Sequence, residues 1–212
     1  SANRVEALAE RLNETLTGAP NGWLLEYYPS SGQYYGGFNV FLSFSEGNKV
    51  KVGSEVAGKG KTATSTYSIY QSAGCVLTLD TYNEVMHYFA DPETTGGQGA
   101  GFGFEGDFEF NVLDLQDEKI TLKGRKTGST MTMTPMPVSM SWDDYIVALK
   151  EEESAISKHT RIRYQTADNK YDGRINGRTL EIFSEVDGEQ VTTSYPFIFN
   201  LMGVTFYKPL EL

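Results

Sequence analysis

Three carboxylates stand at alternate positions of one short segment. Glu105, Asp107 and Glu109 alternate with phenylalanines. In a β-strand such side chains share one face at steps of about 6.6 Å. That spacing falls within the roughly 6.5–9.5 Å gap of an inverting glycosidase, and the same carboxylates could bind calcium. The favoured interpretation is an acidic solvent face opposite a phenylalanine-rich core face, so we predict no catalytic residue and keep these three as candidates.

Aromatic residues crowd the first half of the chain near loops rich in glycine, serine and proline. The faces of tyrosine and tryptophan stack on sugars and peptides, while their polar tips form hydrogen bonds. Aromatic side chains are also common in cores, so only a part of this group is expected at the surface. The candidates for ligand contact are Trp23, Tyr34, Tyr35, Tyr82, His87 and Tyr88.

Motifs for metal, nucleotide or nucleophilic chemistry are missing from the sequence. His87 and His159 lack zinc-ligand spacing. Cys75 is the single cysteine, which excludes an internal disulfide, and its apolar surroundings predict a core position. The glycine-rich segment 96–103 leads into a predicted strand, without the lysine of a phosphate-binding loop. We therefore predict no metal and no cofactor.

The net charge of the chain limits the kinds of molecule that are expected to bind it. Twenty-eight acidic residues against eighteen basic ones give a net charge of −10. Such a field repels phosphate backbones and anionic membranes, which excludes nucleic acid as an expected partner. No run approaches the roughly 20 apolar residues of a membrane span, and the first residues do not form a signal pattern. A soluble domain is expected.

Two amphipathic helices and many short strands must position these residues. Apolar spacings of three and four predict helices over about 3–17 and 142–158, the second opened by a capping box from Ser141 to Asp144. Elsewhere apolar positions alternate between breaks rich in glycine or aspartate. The predicted strands are 23–28, 38–44, 50–52, 64–71, 75–80, 107–115, 119–123, 130–134, 161–164, 171–175, 179–183, 192–200 and 204–207.

This order predicts a mostly β (α+β) fold, an antiparallel meander that forms a sandwich or a lipocalin-like barrel. We expect one unit over 1–140 and a second over 141–212, packed on the first sheet or continuing it. Residues 66–77 resemble residues 194–206 if one residue is inserted. This similarity indicates either a degenerate repeat or a chance likeness of two hairpins.

Several strings resemble an uncharacterised family of Bacteroidetes surface lipoproteins, whose domain has no known function. The similarity is strongest over residues 3–150 and weaker beyond. The strings are residues 21–29 (NGWLLEYYP), 35–38 (YGGF), 74–83 (GCVLTLDTYN), 87–89 (HYF), 91–92 (DP), 106–110 (GDFEF) and 122–128 (LKGRKTG).

The resemblance implies a signal peptide and a lipid-carrying cysteine upstream of Ser1, and a place at the cell surface or in the periplasm, anchored to the outer membrane. This anchor would be the only membrane contact. The resemblance implies no activity, and it favours association with an outer-membrane uptake complex. We therefore expect a non-catalytic envelope lipoprotein domain that binds a glycan, a peptide or a partner protein.

Two alternative functions stay open at this point. One is a glycoside hydrolase that uses the strand carboxylates. The other is a structural assembly component, in which edge strands or a methionine-rich stretch contact a neighbouring subunit. The methionines of that stretch are Met131, Met133, Met136 and Met140.

Overall fold

The computed structural model describes residues 2–80, 83–89 and 105–212. Within these ranges the chain is mostly antiparallel β, as predicted. The helices are α1 (Ala2–Thr17), α2 (Glu84–His87) and α3 (Trp142–Ser157). The strands are β1 (Trp23–Tyr27), β2 (Phe38–Ser45), β3 (Lys49–Ser54), β4 (Ala63–Gln71), β5 (Cys75–Leu79), β6 (Glu109–Gln116), β7 (Lys119–Gly124), β8 (Thr130–Pro135), β9 (Arg161–Gln165), β10 (Lys170–Asn176), β11 (Thr179–Val186), β12 (Glu189–Asn200) and β13 (Gly203–Phe206).

Strands β1 to β8 form a closed barrel in sequence order. Each strand is antiparallel to the next, and β1 closes the barrel on β8 with Leu25 opposite Met133. Buried apolar side chains from all eight strands form one core. The lumen is therefore filled with side chains, which a barrel of eight strands permits. The methionines at 131, 133 and 136 are buried, so the expected methionine-rich contact surface is not formed there.

Helices α1 and α2 add apolar side chains to this core. Leu12 and Leu16 of α1 are fully buried, and Trp23 Nε1 donates a hydrogen bond of 3.0 Å to the Leu16 carbonyl. After α2, the ring of Phe89 lies 4.8 Å from that of Tyr27. Trp23 is only 1 % exposed. The expectation that it contacts a ligand is corrected, because its indole is a core group whose N–H is already satisfied.

Helix α3 leads into a second meander, a five-stranded sheet in the order β13-β12-β11-β10-β9. The predicted cap is confirmed, since Ser141 Oγ accepts a hydrogen bond of 3.1 Å from the Asp144 amide. One face of the sheet, α3 and the outer wall of the barrel enclose a second core. Phe41 of β2 lies at its centre, 5.6 Å from the Trp142 ring and 5.7 Å from the Tyr145 ring.

A buried polar cluster of Asn39, Glu55 and Arg178 joins the barrel to the second sheet. Arg178 forms an ion pair with Glu55 and donates a hydrogen bond of 2.7 Å to the Gly37 carbonyl. Asn39 Nδ2 donates to Glu55 Oε2 at 2.5 Å and to the Phe199 carbonyl at 2.7 Å. These bonds fix the sheet against the barrel.

β8 ends at Pro135 and α3 begins at Trp142, and the division into units 1–140 and 141–212 stays a prediction. The two hairpins proposed as a repeat, β4–β5 and β12–β13, belong to different sheets. The repeat itself stays a prediction. Among the residues with described positions, no helix has the length and apolar character needed to cross a membrane.

Burial of tyrosines predicts unfolding in alkali. Burial raises the pKa of Tyr27, Tyr67 and Tyr145 above the ordinary value of 10.0, and for Tyr27 the Asp107 carboxylate adds to this rise. Because the folded-state pKa values are raised, the stability they contribute is complete below pH about 10 and is lost above it. We expect the circular dichroism signal to fall together with tyrosinate absorbance in that range. Complete tyrosine ionisation with an unchanged circular dichroism spectrum would contradict this expectation.

Candidate functional site

An open cleft of about 1150 Å³ lies where the barrel meets the second sheet. One wall is the loop between β1 and β2. The other is the β10–β11 turn with β12 and the segment after β13. We call this the junction cleft, and its walls include Tyr34, Tyr35, Arg178, Tyr195, Tyr207 and Lys208.

The loop between β1 and β2 has an unusual backbone. Ser30 has φ 72° and ψ 141°, and Gln33 has φ 57°. A non-glycine residue in such a region costs about 1–3 kcal/mol and persists only where its surroundings impose it. Here Ser129 Oγ donates to the Ser30 carbonyl at 3.3 Å, and Gln33 Nε2 donates to Ser129 Oγ at 2.9 Å. The loop is therefore held in a strained conformation, a feature that clusters at binding sites.

Tyr34 is presented to solvent by this loop. Its side chain is 73 % exposed. Its ring lies directly over Gly32, where an added Cβ would come within 3.2 Å of it. Gly32 also has φ +77°, which favours glycine. The loop thus places the Tyr34 ring beside the Gly32 backbone and leaves much of the side chain open.

The opposite wall holds further tyrosines in fixed positions. The Tyr195 hydroxyl donates to the Glu211 carbonyl at 3.1 Å. The Tyr207 hydroxyl accepts a hydrogen bond of 2.9 Å from the Thr130 amide, and its ring lies 4.7 Å from that of Tyr28. Because these rings are already anchored, little side-chain entropy is lost when a ligand packs on them.

Arg178 supplies a buried charge behind the aromatic wall. Its side chain is 12 % exposed, and its guanidinium lies 4.2 Å from the Phe38 ring centre. Its charge is paired with Glu55. The cleft near Arg178 is therefore lined by a satisfied ion pair, which fixes its shape.

The structure brings only part of the predicted contact set together. Tyr34 and Tyr35 line the junction cleft. His87 and Tyr88 are exposed at α2, and the neighbouring Phe89 packs 5.4 Å from Phe38, a residue of the cleft wall. Among the described residues, neither His87 nor Tyr88 belongs to the set that lines the cleft. Tyr82 lies outside the described residues, and Trp23 is in the core.

Sequence reasoning missed the far wall of the cleft. Arg178, Tyr195 and Tyr207 follow the loop residues by more than 140 positions. The available signal was the pairing of tyrosine with nearby proline in Tyr195-Pro196 and in residues 207–209, which resembles the composition of the first aromatic loop.

The expectation of three carboxylates on one strand face is wrong. β6 begins at Glu109, so Glu105 and Asp107 precede it. Glu105 is exposed with φ 55°, whereas Asp107 is 2 % exposed. Gly106 packs against Phe89 and under the Tyr27 hydroxyl, which takes the segment out of strand geometry.

Asp107 has a structural role instead. Its Oδ1 accepts hydrogen bonds from the Lys126 amide at 2.7 Å and from the Thr127 amide at 3.2 Å, and its Oδ2 accepts one from the Thr127 hydroxyl. The carboxylate is therefore the hydrogen-bond acceptor for the turn between β7 and β8.

Other chemistry-bearing residues are placed as follows. Cys75 is buried, which confirms the core prediction, and burial raises the pKa of its thiol. Across residues 2–80, 83–89 and 105–212, no three His, Cys, Asp or Glu side chains group as a metal site. The glycine-rich segment 96–103 lies outside the described residues.

Comparison with known proteins identifies a family for this chain. No curated protein and no solved structure matches it. A family model described as a domain of unknown function, DUF4302, matches residues 1–212. Since that match covers the full sequence, the chain belongs to the DUF4302 family.

Proposed function

We propose that the chain is a non-catalytic binding domain whose junction cleft binds a glycan. The observation that carries this proposal is Tyr34, an exposed ring on a strained and hydrogen-bonded loop that faces a second wall of fixed tyrosines. Tyrosine faces pack on the C–H faces of sugars while polar groups beside them bind hydroxyls. Thr179, Thr193 and Ser194 supply such polar groups in the cleft.

The size of the cleft favours an extended ligand. Its volume of about 1150 Å³ exceeds the roughly 300–1,000 Å³ of ordinary small-molecule pockets. It is also open to solvent, so a chain of sugar units suits it better than a compact cofactor. The hydrolase alternative gains no support, because the buried one of its three carboxylates is already bonded to a turn. The assembly alternative loses its methionine surface.

Replacement of Tyr34 by alanine tests the site. A glycan array on the purified domain first identifies a ligand, and titration calorimetry then compares variants. We expect Tyr34→Ala to weaken binding about tenfold, because a stacked ring contributes roughly 1–1.5 kcal/mol. Its thermal stability should hardly change, since the side chain is mostly exposed.

Tyr70→Ala is the matched control for this experiment. Tyr70 is a partly exposed tyrosine on β4 that does not line the junction cleft. Equal affinities of Tyr34→Ala and Tyr70→Ala, or an array without any bound glycan, would refute the proposed site.

We further propose that the domain works in the cell envelope of a Bacteroidetes species. It would be a lipoprotein of the outer membrane and an accessory to a glycan-uptake complex. The support is the resemblance of the sequence strings given above, from Asn21-Gly22-Trp23 onward. Fractionation of native cells and protease treatment of intact cells test this proposal, and recovery of the protein only in the cytosol would refute it.

A further inference from the structure

The outer face of the second sheet carries another concave site, of about 880 Å³. We call it the arginine face, and it is defined by Arg161, Arg163, Asp172, Arg174, Asn176 and Phe183. It lies on the side of the sheet opposite Leu180 and Ile182, which are buried in the second core. In a chain with a net charge of −10, three arginines on one face are unexpected.

The strand register brings two arginines side by side. Arg161 of β9 stands directly opposite Arg174 of β10. Like charges at such positions are destabilising. An arrangement of this kind without an intervening acid suits an anionic group from outside the chain, because a guanidinium binds carboxylates through paired hydrogen bonds.

The acids on this face neutralise only two of the three arginines. Arg163 pairs with Asp172 at 2.9 Å, and Arg174 pairs with Glu181 at 2.6 Å. The Arg161 guanidinium forms neither a hydrogen bond nor an ion pair with any residue of the described ranges. The positive charge of Arg161 is therefore not neutralised by an acid on this face.

Arg174 is held in place while it remains accessible. Glu181 is 14 % exposed, and hydrogen bonds from Arg174 and Asn176 lower its pKa, so it stays ionised at neutral pH. The pair uses Nε of Arg174, and the arginine side chain is still 56 % exposed. The Phe183 ring lies 6.0 Å from its guanidinium. Arg174 is thus a positioned cation beside an unpaired one.

The arginine face runs into the junction cleft. Asn176 lines both sites, and Glu181, the partner of Arg174, lines the cleft. The two sites therefore adjoin at Asn176, and we call the surface that they form together the groove, with tyrosines at one end and arginines at the other.

We propose that this groove binds an acidic glycan, with sugar rings on the tyrosines and a uronic-acid carboxylate on Arg161 and Arg174. This inference rests on the proposed function of the junction cleft and adds the charge of the ligand. The negative field of the rest of the chain repels anions, so the two arginines must supply the attraction locally.

Uronic-acid oligosaccharides and their carboxyl-reduced counterparts test the inference, because reduction removes the charge and keeps the rings. The panel contains galacturonate, mannuronate and glucuronate oligomers. We expect the domain to bind an acidic member at least tenfold more tightly than its reduced form, with affinity falling as salt is added. Arg161→Gln should remove about tenfold of the affinity for the acidic form and leave the reduced form unaffected.

Arg4→Gln is the control, since it removes the same charge from an exposed position on α1. Arg161→Lys should recover part of the affinity. If acidic and reduced oligomers bind equally and only Tyr34→Ala weakens them, the acidic-ligand inference is overturned while the cleft proposal stands. If no member of the panel or of the glycan array binds, both are overturned. If acidic oligomers are preferred but Arg161→Gln behaves like Arg4→Gln, the arginine face is not the site.

Discussion

Replacing Arg178 with methionine is expected to lower the free energy of unfolding by about 3–5 kcal/mol, the cost of breaking a buried ion pair by removing one partner. This cost arises because Glu55 would be left as a buried charge without its partner. Its side chain is 4 % exposed, and Arg178 is its ion-pair partner. Without the guanidinium, the Glu55 carboxylate keeps the hydrogen bonds from Asn39, at 2.8 Å from the backbone amide and 2.5 Å from Nδ2, but loses the positive charge beside it.

The loss extends beyond the ion pair. The Arg178 guanidinium also lies over the rings of Phe38 and Phe199, at 4.2 and 5.2 Å from their centres. It donates to the Gly37 carbonyl as well. Because Phe38 belongs to the barrel and Phe199 to the second sheet, the same side chain ties both units. The variant should therefore loosen the junction cleft and weaken glycan binding together with stability.

Denaturant unfolding measures this effect, and an exposed pair supplies the control. Arg163→Met breaks the pair with Asp172, in which both side chains are more than half exposed, and should hardly change the free energy of unfolding because water screens the pair. Combining Arg178→Met with Glu55→Gln should restore part of the loss, because no unpaired buried charge remains. Equal costs for Arg178→Met and Arg163→Met would show that the buried pair does not hold the two units together.

The strands were predictable from alternation because each half-buried strand exposes every second side chain. The turn residues between them marked most boundaries, so the barrel strands differ from the prediction mainly at their ends. Helix α2 was missed because it has four residues, too few for a helical period. The Asn83 side chain stabilises its start by accepting hydrogen bonds from the Val85 and Met86 amides.

The packing of the second sheet on the barrel could not be predicted from local patterns in the sequence. Asn39 and Phe41 alternate with the core residues of β2, which predicts an exposed outer face. Instead both are buried, at 1 % and 0 % exposure, because Phe199 covers Asn39 and the rings of Trp142 and Tyr145 cover Phe41. A period of two reports which side chains share a face, but it does not report whether another sheet covers the second face.

Prediction of the candidate site from the sequence is limited in the same way. Tyr34 and Tyr35 could be found from the composition of their loop, whereas the opposite wall comes from distant residues whose approach only the fold decides. The carboxylate series failed for a different reason. The positive φ at Glu105, the close packing of Gly106 and a bend at Phe108 take the segment out of strand geometry, and alternation of residue types cannot reveal single backbone angles.

Removal of the Asp107 carboxylate is expected to cost nearly as much as removal of Arg178. We expect Asp107→Ala to lower the free energy of unfolding by about 3–5 kcal/mol. It removes three hydrogen bonds to a charged group, each worth roughly 1.5–3 kcal/mol, and water replaces part of them because all three are only partly buried. Two buried or half-buried amides and the Thr127 hydroxyl lose their acceptor. Asp107→Asn should cost less, because its amide oxygen still accepts from the backbone. Glu109→Ala, at an exposed position on β6, is the control.

Asp107→Ala should also weaken ligand binding, although Asp107 itself does not contact the ligand. Asp107 holds the turn between β7 and β8, and Ser129 in that turn bonds to Ser30 and Gln33 of the strained loop. Releasing the turn removes the constraint that keeps Tyr34 in position, so affinity should fall even where Asp107→Ala is fully folded. Asp107→Asn should keep most of the affinity, because its amide oxygen still accepts hydrogen bonds from the turn. A variant Asp107→Ala with the stability and affinity of Glu109→Ala would show that the turn does not support the cleft.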